Sequence, residues 1–77
     1  MDEGSLSGLK KRSVTLGGHR TSLALEPEFW DALDAAADAE KLSLAGLLAR
    51  IDEARLDRGR PLASAVRVYL LKRAAGA

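Results

Sequence analysis

The chain has 77 residues, a formal net charge of +1, a single histidine (His19) and no cysteine. Below roughly 70–80 residues a single core rarely supplies more than about 3–5 kcal/mol, so such chains lean on disulfides, a metal or a second subunit. Disulfides, thiolate metal sites, cysteine nucleophiles and histidine-rich clusters are excluded by composition, so an oligomer is the expected staple and no metal or cofactor is expected.

Residues 1–9, with Gly4, Ser5, Ser7 and Gly8, read as a flexible tail ahead of a domain over 10–77. The strand region follows over 12–25. Val14 and Leu16 alternate with polar neighbours, Gly17-Gly18 punctuates, and Leu23 and Leu25 alternate again. Gly-Gly suits a two-residue hairpin loop. That register sets Leu16 opposite His19, Val14 opposite Thr21 and Arg12 opposite Leu23. Val14, Leu16, Leu23 and Leu25 then share one face; Lys11, Ser13, Thr15, Arg20 and Ser22 share the other. An open basic arm ahead of a single strand fits the same pattern.

Pro27 suits the first turn of a helix over about 27–40, with Leu25 and Trp30 placed as its hydrophobic staple. Phe29, Leu33, Ala36 and Ala37 recur at helical spacing, and Glu28 and Asp31 favour the positive end of the helix dipole. Ser43 is a good N-cap for a second helix over about 43–57, whose apolar face is Leu44, Leu47, Leu48 and Ile51. Gly59 and Pro61 interrupt. A short C-terminal helix over about 62–74 carries Leu62, Val66, Tyr69 and Leu70 on one stripe. That stripe suits packing onto the first two helices; Arg67, Lys72 and Arg73 suit either phosphates or a neighbouring dimer.

No apolar run approaches the ~20 residues of a membrane span, and Met1–Lys11 lacks a signal-like apolar stretch, so a soluble cytoplasmic protein is the default expectation. Apolar residues are mostly Ala and Leu, which favours a mainly helical core. Phe29, Trp30 and Tyr69 provide no stacking platform for single strands. Charge order says more than net charge. Residues 10–25 carry +4 (Lys10, Lys11, Arg12, Arg20), residues 26–40 carry −6, and residues 58–77 carry +5. Such asymmetry marks either nucleic-acid or membrane contact or ordinary solvated helix faces. There is no nucleophile–base pair, phosphate loop or metal-ligand spacing, and His19 reads as a turn residue or phosphate contact rather than a base, so an enzyme is not expected.

The stretch Arg12-Ser13-Val14-Thr15-Leu16, His19 through Leu33, then Leu42-Ser43-Leu44 and Leu62 through Tyr69, resembles a bacterial subfamily of the ribbon–helix–helix DNA-binding fold. The resemblance spans roughly residues 12–71. It implies a mainly α intertwined homodimer with a short β-ribbon that enters the major groove of double-stranded DNA. Arg20, Ser22 and Ala24 are then the base-contacting residues: a bidentate fork for guanine, a flexible hydroxyl, and a methyl suited only to thymine. Lys10, Lys11, Arg12, His19, Lys41, Ser43 and Leu44 are the phosphate contacts, the last two through a helix N-terminus. Leu23, Leu25, Phe29, Leu33, Leu47, Leu48 and Ile51 form the expected dimer core.

Two features depart from the pattern. Lys41 stands where the fold commonly has a glycine, at a left-handed helix C-cap. If the Gly17-Gly18 hairpin forms, a paired dimer carries four strands, wider than the groove readily accepts, and Val14–Leu16 must lie over the backbone or cover the sheet edge. The implied function is transcriptional regulation. The alternative is a dimeric protein-interaction module such as an antitoxin or adaptor.

Overall fold

The computed structural model describes residues 8–55 and 59–76, so residues 1–7 of the tail expected over 1–9 lie outside the described residues. Two strands, β1 (Lys10–Leu16) and β2 (His19–Leu25), are followed by α1 (Pro27–Glu40), α2 (Leu44–Glu53) and α3 (Leu62–Gly76). The strands pair antiparallel in one two-stranded sheet, with Leu16 opposite His19, Val14 opposite Thr21 and Lys10 opposite Leu25. The hairpin therefore forms, and the open-arm alternative does not. Gly17 and Gly18 have φ of +56° and +84°. Successive positive φ values are what a twist-matched two-residue loop demands, and glycine reaches them without a Cβ penalty.

Strand alternation divides the sheet into two faces. Val14, Leu23 and Leu25 are buried beneath the helices, while Lys11, Ser13, Thr15, Arg20 and Ser22 are exposed. Trp30 closes the inner face: its ring is buried and its indole N–H donates to the Lys10 carbonyl at 2.8 Å.

Helix α1 begins where Pro27 fills N1, and the Glu26 carbonyl accepts from the amides of Phe29 and Trp30. It ends in a left-handed residue, Lys41, at φ 58° and ψ 41°. The Lys41 amide donates to Asp38 and the Leu42 amide to Ala37, the two bonds of a Schellman cap. Ser43 then caps α2, its hydroxyl accepting from the Gly46 amide at 3.0 Å. Helix α2 stops at Glu53, short of the expected 57; residues 56–58 lie outside the described residues.

The core lies between the helices and the inner sheet face. Leu25, Leu33, Leu47, Leu48 and Val66 are fully buried within one chain, and Leu23, Ile51 and Leu70 nearly so. Six of the seven expected dimer-core residues thus pack in their own protomer; only Phe29 is half-exposed. One side of this core lies against the C-terminal helix. Helix α3 closes it, because Val66 and Leu70 dock onto the layer the first two helices leave open, each burial contributing about 1.5–3 kcal/mol. None of the described helices is long and apolar enough to cross a membrane.

Candidate nucleic-acid interface

Three ion pairs on the helical side explain where much of the charge goes. Arg67 on α3 reaches the Glu26 carboxylate at 2.8 Å, joining α3 to the β2–α1 junction. Arg73 meets Glu40 at 2.8 Å, and Arg50 approaches the same carboxylate at 3.4 Å. Hydrogen bonds from Arg67 hold the Glu26 carboxyl below its ordinary value, and those from Arg73 do the same for Glu40. The acidic block of α1 and the basic block of α3 therefore answer each other. Arg67 and Arg73 fasten α3 to the start and end of α1.

Arg12 behaves in the same way. Its guanidinium sits 4.3 Å above the Trp30 ring and 3.3 Å from Asp34. It lies on the inner face beside Leu23, where it makes a cation–π and ion-pair cover over the core. Sequence reading missed this because Asp34 is 22 residues away and strand alternation alone does not show which helix covers the ribbon.

The outer sheet face is left to Lys11, Ser13, Thr15, Arg20, Ser22 and Ala24. All but the half-buried Ala24 are exposed. They stand in three cross-strand pairs: Lys11 with Ala24, Ser13 with Ser22, and Thr15 with Arg20. Two cations and three hydroxyls share this face with no acid, and among the described residues neither Lys11 nor Arg20 is ion-paired. Leu16 and His19 close the loop as a hydrogen-bonded pair, so the alternation points the backbone N–H and C=O groups of Arg20, Ser22 and Ala24 away from β1. That edge of β2 has no strand beside it among the described residues.

The remaining expected contacts fall in three places. His19 is exposed at the hairpin tip and Lys10 is exposed at the other end of the ribbon. Lys41, Ser43 and Leu44 come together at the α1–α2 turn. There the Ser43 hydroxyl takes the Gly46 amide, and the Leu44 and Ala45 amides belong to the first turn, where no intrahelical acceptor exists. A helix start with free amides and a lysine two residues before its cap suits an anion. Among the described residues, no group of three or more His, Asp or Glu gathers as a metal site would require.

Comparison with known proteins agrees with this geometry. A family model described as a ribbon-helix-helix domain matches residues 9–74. Neither the curated proteins nor the solved structures yield a match. The family is one of DNA-binding transcription regulators in general, and its modules are not enzymes. With a two-stranded antiparallel ribbon ahead of three helices and a family match over nearly its whole length, this chain belongs to the ribbon–helix–helix domain family.

Proposed function

We propose that the chain is a homodimeric protein of the bacterial cytoplasm that binds double-stranded DNA, sequence-specifically or semi-specifically, to regulate transcription. The observation that carries this reading is the outer ribbon face, which is exposed, holds cations and hydroxyls, and bears no acid. The major groove admits a two-stranded ribbon, and the free edge of β2 offers the pairing surface for a second copy. Arg20 then forks onto a guanine, Ser22 bonds to a base edge and Ala24 touches a thymine methyl. Lys10, Lys11, Arg12 and Lys41 neutralise phosphates, His19 contacts one, and the α2 start at Ser43 and Leu44 seats another.

An anisotropy titration of duplex DNA across salt concentrations tests the reading. Affinity is expected to fall linearly on a log–log plot as salt rises. Absence of duplex binding at low salt, or affinity indifferent to salt, refutes it. Arg20→Ala is expected to weaken specific binding by about 1–3 kcal/mol and to relax sequence preference, with the fold intact.

A second reading, a dimeric protein-interaction module, draws on one observation. An apolar groove between α1 and α3 is lined by Phe29, Ala32, Val68 and Leu71, and Leu71 is 68% exposed. It is favoured if a stoichiometric protein partner binds and Arg20→Ala leaves DNA affinity unchanged.

A further inference from the structure

In the ribbon the resemblance implies, each chain supplies one strand, but here one chain already supplies two. The added strand, β1, is not inert on its outer side. Lys11, Ser13 and Thr15 occupy alternate positions there, all exposed, and each side chain ends in a hydrogen-bond donor. None of the three bonds to another described side chain. They are about 6.8 Å apart along the strand, close to the separation of successive phosphates on one DNA strand.

The width of the paired sheet decides what these donors meet. If two chains pair along β2, as in the DNA-binding reading on which this inference rests, the strand order is β1–β2–β2–β1. Strand spacing of about 4.8 Å places the two outer strands about 14 Å apart, wider than the roughly 12 Å major groove. The two central strands enter. The outer strands ride over the groove walls, which are the sugar–phosphate backbones.

We propose that β1 is a phosphate clamp: the Lys11 ammonium and the Ser13 and Thr15 hydroxyls donate to phosphates flanking the groove, leaving base reading to β2. The division matches the chemistry of each strand. Lysine and small hydroxyl side chains serve phosphate oxygens without regard to sequence, whereas the planar Arg20 guanidinium on β2 matches a guanine edge. The Gly17-Gly18 turn, with no side chain in its loop, lets the ribbon tip approach a wall closely.

The test uses the full chain and two labelled duplexes, one of random sequence and one recovered as the tightest from a randomised pool. The double variant Ser13→Ala/Thr15→Ala is expected to lose at least roughly tenfold on both duplexes equally, since a donor to a charged oxygen is removed at each position. Lys11→Ala is expected to reduce the salt slope by roughly 2 per dimer, at about 0.9 for each phosphate released. Arg20→Ala is expected to narrow the ratio between the two duplexes. All three β1 side chains are exposed, and thermal melting verifies that the variants fold. A loss confined to the selected duplex assigns β1 to bases and overturns the clamp. No loss on either duplex overturns it too, while DNA binding stands. If the unmodified chain binds neither duplex at low salt, the DNA-binding reading fails and the clamp with it.

Discussion

Lys41 is a non-glycine residue in the left-handed region, at φ 58° and ψ 41°, and this position makes a quantitative prediction. An L-residue there pays about 1–2 kcal/mol in contacts between its Cβ and the backbone. Replacing it by glycine removes that strain, offset by the roughly 0.5–1 kcal/mol that glycine's freedom gives the unfolded chain. Lys41→Gly is therefore expected to stabilise the fold by about 0.5–1 kcal/mol. For 77 residues, at about 2.1 cal/mol/K each, the unfolding entropy at the midpoint is about 0.16 kcal/mol/K, so Tm rises by about 3–6 °C. Lys41→Ala keeps the backbone strain and removes only the ammonium, so it should show no comparable gain. Thermal melts followed by circular dichroism read both variants. If Lys41→Gly melts at or below the parent, the strain argument is wrong. Under the proposed DNA contact, both variants also lose one phosphate per chain. The lysine would then weaken the cap while strengthening the interface.

Leu70→Ala, which removes a nearly buried α3 side chain, is expected to cost about 2–5 kcal/mol in urea denaturation; a cost near zero would mean that α3 does not close the core. Ser43→Ala leaves the Gly46 amide without its acceptor and should lower stability by about 1 kcal/mol, read from the urea midpoint. Acid should loosen α3 through Glu26 and Glu40. Their carboxyls are depressed by hydrogen bonds from Arg67 and Arg73, so the stabilisation is present above the unfolded glutamate value and is lost as pH falls through the depressed folded values. Tm should decline as pH drops below about 5, and Glu26→Gln/Glu40→Gln should flatten that decline; an identical decline in the double variant refutes the assignment.

Local signals carried the sequence reading a long way. The hairpin register is consistent with alternation on both sides of Gly17-Gly18: a period of two excludes one-residue slips, and a two-residue loop selects among the registers left. Pro27 and Ser43 mark helix starts through backbone chemistry that acts within four residues. What escaped was non-local. Arg12 finds Asp34 across 22 residues, Arg73 finds Glu40 across 33, and Arg67 finds Glu26 across 41. Charge blocks looked like signals for an outside partner because linear order does not reveal that they face each other. The spacing of Leu62, Val66, Tyr69 and Leu70 also sets a stripe suited to packing on the first two helices, and Val66 and Leu70 are buried there.

The closure of the core by α3 bears on how folding and the proposed pairing are ordered. An intertwined pair whose core is shared cannot fold before it meets its partner, so its melting point climbs with protein concentration. If the core of Leu25, Leu33, Leu47, Leu48 and Val66 stands in one chain alone, the melting point is instead independent of concentration, which thermal melts over a dilution series read. In that case the proposed pairing along the β2 edge is a second, reversible equilibrium, separable from folding. A duplex that holds two copies side by side can drive it, so occupancy of a DNA site would rise steeply with copy number rather than in simple proportion.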